Sequence, residues 1–177
     1  MWCAVHVRDG DEIRTESFVK ALLPRELDAR CIHLTRRRRK KYGGQWQTVQ
    51  EKLFPGYVFI ATDQPEAVHR ELKKTSQTRL LFSDDSCVAI LEAQEAALIE
   101  ALSDENGEIG ISRVKVSDNG NIEFLSGPLL QVENMVRKVN LHQRVAEVET
   151  KFMGERQMLY LGIEIEQDRE QAEPHGR

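Results

Sequence analysis

Over the first hundred positions the apolar residues alternate between a strand-like and a helix-like period. In MWCAVHV (1–7) they run almost unbroken, with a β-branched and aromatic bias that predicts a strand. In RDGDEIRTESFVKALLP (8–24) Phe18 and Leu22, and Val19 and Leu23, recur at helical spacing. Asp9 followed three residues later by Glu12 reads as a capping box, and Pro24 stops the helix. ARCIHLT (29–35) predicts a second strand. Gly43-Gly44 predicts a hairpin turn between two long extended arms that project beyond the sheet. YVFIA (57–61) is another strand. In 63–75 Asp63 serves as a cap, Pro65 fits the first turn, and Val68 and Leu72 share a helical face. TRLLF (78–82) predicts a strand, and LEAQEAALIEALS (91–103) a third helix with Leu91, Leu98 and Leu102 on one face.

After SDENGEIG (103–110), which is polar and glycine-containing and reads as a linker, the pattern changes. Short extended segments follow at 112–117, 121–126, 134–140, 144–152 and 156–165, separated by turn signals at Asn119-Gly120 and in NLHQ (140–143). This order predicts an α+β fold: a sheet with helices packed on it over 1–102, a linker at 103–110, and a small β-barrel over 111–166. The polar tail 167–177 is expected to be disordered.

Composition narrows the function classes. The chain has 177 residues, 40% of them hydrophobic, and a net charge of −4. Residues 1–102 carry 16 Lys+Arg against 15 Asp+Glu, and residues 103–177 carry 9 against 14, so any nucleic-acid contact must be local. No apolar run is long enough to cross a bilayer, and no signal-peptide pattern opens the chain. Cys3, Cys31 and Cys87 are odd in number and without CxxC spacing, which speaks against a disulfide framework or a zinc knuckle and for a cytoplasmic protein. The histidines are scattered, and no phosphate loop, nucleophile elbow or carboxylate pair appears. No catalytic residue, metal site or cofactor is expected.

Two clusters invite a binding role. Phe54, Tyr57 and Phe59 crowd around Pro55-Gly56. By alternation Tyr57 and Phe59 share one face of a strand, and Val58 and Ile60 the other. All four belong to the core in one reading; in the other, one face is kept apolar for a partner. The second cluster is Arg36, Arg37, Arg38, Arg39, Lys40 and Lys41. In an extended arm its side chains alternate three to a face, forming either a solvated surface or a row of phosphate contacts. Tyr42 and Trp46 flank the glycine turn, placed either for cross-strand packing or for stacking on an unpaired base. Farther on, Arg137, Lys138, His142 and Arg144 have no acid between them in sequence.

LFPGYVFI (53–60), SGPLLQVENMVRKV (126–139) and KFMGERQMLYLGIEI (151–165), in this order and spacing, resemble the NusG-type transcription elongation factors. KKYGGQWQTVQEKLFPGYVFI (40–60) is most similar to the LoaP antitermination subfamily. The resemblance covers residues 1–165 and implies an NGN-type α/β sandwich followed by an SH3-like KOW barrel. It implies a monomer whose apolar depression, lined by Trp2, Phe54, Pro55, Gly56, Tyr57 and Phe59, docks on the clamp helices of the RNA polymerase largest subunit. It also implies that the basic hairpin lies near upstream DNA and nascent RNA, and that the barrel helps to read an RNA hairpin. Its alternatives are a general adaptor coupling transcription to a ribosomal or termination protein, and a stand-alone RNA-binding module. Gln131 and Asn134 stand where the family usually carries glycine, which puts the local turn geometry in question.

Overall fold

The computed structural model describes residues 1–74 and 88–167. The strand expected at 78–82, Cys87 and most of the tail lie outside the described residues. The chain is α+β, and it divides into two compact units that interleave in sequence. The first comprises Met1–Leu34 and Lys52–Ala97; the second comprises Thr35–Glu51 and the chain from Leu98 onward.

In the first unit, β1 (Trp2–His6) pairs on one side with β5 (Tyr57–Ala61) and on the other with β6 (Val88–Ile90). β2 (Arg30–Ile32) pairs with β5, giving an antiparallel sheet of order β2-β5-β1-β6. Helices α1 (Glu12–Leu22) and α2 (Pro65–Lys73) close a core of Val5, Val7, Val19, Leu23, Cys31, Val58, Ile60, Val68 and Leu72. The predicted alternation holds, since Val58 and Ile60 are the pair that enters this core. The Cys31 thiol is buried there, and burial pushes its pKa up. The predicted helix caps are not formed. Asp11 stands at the start of α1 without a side-chain cap, and the Glu12 carboxylate has been recruited elsewhere. At α2, Thr62 Oγ1 rather than Asp63 takes a backbone hydrogen bond, from Gln64 N–H at 3.0 Å. Helix α3 (Ala93–Leu102), whose residues from Leu98 on belong to the second unit, buries Leu98 and Leu102 as their spacing predicts and Ile99 besides, whereas Leu91 is buried just ahead of the helix.

The second unit holds a five-stranded sheet curled into a half-barrel. Its strands are β8 (Ser112–Val116), β9 (Ile122–Ser126), β10 (Val136–Asn140), β11 (Val145–Phe152) and β12 (Glu155–Ile165), in the order β10-β11-β12-β8-β9. Val114, Leu129, Val145, Val148, Phe152, Leu159, Leu161 and Ile163 fill its interior. Neither Gln131 nor Asn134 has a positive φ. Both lie in short 3₁₀ turns, so the backbone at these positions does not require glycine.

The hairpin β3 (Thr35–Tyr42) and β4 (Gln45–Lys52) was expected within the 1–102 domain. Residues 35–51 instead belong to the second unit, for two reasons. β7 (Glu108–Ile109), which forms within the segment read as a linker, pairs in parallel with Thr35 and Arg36. Gly162 of β12 also lies directly against the β3 backbone. Among the described residues no helix is long and apolar enough to cross a membrane.

Candidate docking face and nucleic-acid interface

The FPGY stretch is a tight turn whose geometry is set by a buried carboxylate. Tyr57 N–H donates to Phe54 O at 3.3 Å, and Gly56 has φ +79°, the arrangement of a type II turn with Pro at its second position and Gly at its third. Gly56 O accepts from Val7 N–H at 2.8 Å, fixing the turn to the end of β1. Gly56 N–H donates to Glu12 Oε1 at 2.8 Å. Glu12 Oε2 accepts from Gly10 N–H at 3.0 Å and from Lys52 Nζ at 2.7 Å. Lys52 Nζ also reaches Asp9 Oδ1 at 3.0 Å. The sequence reading assigned Glu12 to a capping box. Its place three residues after Asp9 fits that pattern, and nothing local in the sequence points to a partner forty-four positions away.

Glu12 is 1% exposed. Burial raises its pKa, but the Gly56 N–H and the Lys52 ammonium outweigh that and bring it from 4.5 down to about 2. A carboxyl depressed by folding contributes stability that is full above its unfolded value and is lost as pH falls toward the folded one. Thermal stability should therefore decline between pH 4.5 and about 2. Glu12→Gln should lower stability at pH 7 and flatten that acid limb in calorimetric melts. An unchanged limb would show that the carboxylate does not hold the turn.

The face of the sheet opposite the helices carries a row of rings. His6 stacks on Tyr57 at 5.0 Å, Tyr57 lies 6.5 Å from Phe59, and Phe59 meets Phe54 edge-on at 5.9 Å. The row grades from exposed to buried. His6 is exposed and Tyr57 half-buried, whereas Phe54 is 9% exposed and Phe59 fully enclosed. Pro55 is exposed and Gly56 buried. Trp2 was expected to line the apolar depression. It is instead buried in an interior strand, with the Arg30 guanidinium 4.9 Å from its ring. Phe59 and Trp2 thus support this face from within, and Tyr57, Pro55 and His6 are its accessible part.

In the hairpin, the alternation of the basic run is resolved residue by residue. Arg36 and Arg38 each place a guanidinium nitrogen 3.3 Å from Glu51 Oε2, and Lys40 Nζ pairs with Glu51 Oε1. On the other row Arg37 Nε meets Glu108 Oε1 at 2.7 Å, Arg39 donates to Thr48 Oγ1 at 3.1 Å, and Lys41 Nζ lies 5.9 Å from the Trp46 ring centre. Cations that are consecutive in sequence therefore find carboxylates on β4 and β7, which the linear pattern does not reveal. Gly43 and Gly44 both have positive φ, as a two-residue hairpin turn requires. Tyr42 at the tip is 51% exposed.

Of the four barrel residues singled out, Arg144 reaches the hairpin, with its guanidinium 4.8 Å from the Trp46 ring centre. It sits at φ +54° just after the NLHQ turn, where Asn140 Oδ1 accepts from Gln143 N–H at 2.9 Å. Lys138 and His142 are exposed. Arg137 is drawn to Glu149, which also accepts from Arg156 Nε at 2.7 Å. The acid-free stretch in sequence is therefore not acid-free in space. The two basic clusters, assigned by the sequence to different domains, share one compact unit, with Trp46 and Arg144 as the point of contact.

Among the described residues no group of three His, Cys, Asp or Glu side chains is placed to hold a metal ion. No family model and no curated protein matches this sequence.

Proposed function

We propose that this chain is a NusG-like antitermination factor of the LoaP kind, with an NGN-type first unit and a KOW-type second. It binds RNA polymerase, contacts nucleic acid and carries out no reaction of its own. One combination carries the reading: an antiparallel α+β unit whose FPGY turn leaves Tyr57 accessible, and a five-stranded half-barrel that holds SGPL between β9 and β10, on one chain. Tyr57, Pro55 and His6 form the accessible part of a ring-lined face suited to a helical partner such as the polymerase clamp helices. The hairpin supplies cations and an exposed aromatic tip for upstream DNA or nascent RNA. Antitermination then requires only that the protein bind the elongating polymerase more tightly than the paused one.

The test is transcription through a terminator in vitro, with and without the protein and with and without a cognate leader. Read-through that is unchanged by the protein overturns the reading. Tyr57→Ala should remain folded by far-ultraviolet dichroism and weaken polymerase binding by about 2 kcal/mol, as loss of an interface anchor does. Normal binding by the folded variant would remove Tyr57 from the docking face. A second reading, the coupling adaptor, is favoured by Met158 and Tyr160. These large side chains are exposed on β12 and paired in register with Glu149 and Glu147, a surface suited to a protein partner. Capture of a ribosomal or termination protein by the full chain, lost in Tyr160→Ala, supports it.

A further inference from the structure

Three cations of β3 share a single carboxylate. Glu51 Oε2 accepts from both Arg36 and Arg38 at 3.3 Å, longer than the roughly 2.7–2.9 Å of a good charge-assisted hydrogen bond. Lys40 takes the other oxygen. Arg36 Nε and Arg38 Nε are buried and have no hydrogen-bond partner. One carboxylate thus engages three positive charges and leaves the Nε donor of each guanidinium unpaired. The other β3 row differs. There Glu108 pairs with Arg37 alone among the basic run, and its second oxygen is engaged by Gln50 Nε2 at 2.9 Å. The proximity is mutual: Lys40, Arg38 and Arg36 hold the Glu51 carboxyl below its ordinary range against the opposing effect of burial.

We propose that Arg36, Arg38 and Lys40 form a phosphate-binding row for single-stranded nucleic acid, with Glu51 as its built-in competitor. The carboxylate occupies the position of a backbone phosphate, keeps the cations aligned when no strand is bound, and is displaced from at least one of them on binding. Glu51 thereby sets the affinity of the row and limits indiscriminate binding, as a repulsive element built into an interface does. This inference rests on the nucleic-acid contact of the proposed function.

The experiment compares the full chain with Glu51→Gln and Glu108→Gln, using fluorescence anisotropy with a labelled single-stranded RNA and a DNA of the same sequence over a salt series. Both variants remove one negative charge from the same unit, but only Glu51 touches three cations. Glu51→Gln should tighten binding about threefold to tenfold at low salt, as relief of one partly screened carboxylate allows. It should also steepen the salt dependence by about 0.7 log unit, one further single-strand phosphate contact. Glu108→Gln should change affinity less than twofold. Equal tightening by both variants would show a bulk charge effect and overturn the inference, as would unchanged or weaker binding by a Glu51→Gln protein that melts normally. In either case measurable binding by the unsubstituted chain leaves the proposed function intact. If the unsubstituted chain and Glu51→Gln both fail to bind RNA and DNA, the nucleic-acid contact itself is wrong and the inference falls with it. A difference between the RNA and DNA arms identifies the strand the row serves.

Discussion

Gly127→Ala should strongly destabilise the half-barrel. Gly127 has φ +96°, and a Cβ there would lie 2.6 Å from Ser112 Cα, 2.7 Å from Ser112 Oγ and 3.0 Å from Ile111 O. With ψ at −179°, this is a backbone region essentially reserved for glycine, and it costs an L-residue roughly 1–3 kcal/mol. Forcing a methyl into a packed site adds about 1–3 kcal/mol. The closest atom belongs to the β8 backbone and cannot swing aside. Ser112 Oγ also accepts the Leu129 N–H at 3.0 Å, the bond that tucks the SGPL segment beneath the sheet. A combined loss of about 3 kcal/mol or more is a large share of the roughly 5–15 kcal/mol that holds an ordinary domain folded. Urea denaturation followed by hydrogen exchange in residues 112–165 checks this. Protection equal to that of the unsubstituted chain would mean that β8 yields more readily than its pairing with β12 implies.

Gly162→Ala should detach the hairpin while leaving the half-barrel folded. Gly162 lies in the interior of β12, where a Cβ would stand 2.3 Å from Arg37 O, 3.0 Å from Arg38 Cα and 3.2 Å from Arg37 C. All three are backbone atoms, so β3 must move. The overlap costs about 1–3 kcal/mol if the hairpin stays docked. A two-stranded ribbon has little stability alone, so displacement is its way out. The Arg144–Trp46 contact should be lost with it. Amide exchange in 35–51 should accelerate by orders of magnitude relative to 145–161, and nucleic-acid affinity should fall with it. Unchanged exchange in the hairpin would show that β3 is held by β7 rather than by β12.

What could be read in advance follows from how local each cause is. The five strands of the half-barrel were legible because period-two alternation and turn residues act within a few positions, as in Val145–Phe152. The Gly43-Gly44 hairpin was legible for the same reason. β6 and β7 were missed because Val88–Ile90 and Glu108–Ile109 are too short to show a period and owe their pairing to β1 and β3. Glu12 was misassigned because its partners, Gly56 and Lys52, are distant in sequence. The six-cation run was visible, but Glu51 is separated from it by a turn and a whole strand. The ring-lined face was predicted as a set. Burial then separated supporting members such as Phe59 from accessible ones such as Tyr57, a distinction set by tertiary packing rather than by residue type.

The interleaving of the two units has a consequence for how the protein is made. Synthesis proceeds from the amino terminus, so β3 and β4 leave the ribosome with the strands of the first unit. Their permanent neighbours, β7 and Gly162 of β12, follow much later. Until then the hairpin has no β7 along its β3 edge and no β12 beneath it. Its abundance of arginine and lysine serves that interval, because a charged edge resists pairing with other nascent chains. The second unit therefore completes itself backwards, when β12 emerges and receives the much earlier β3.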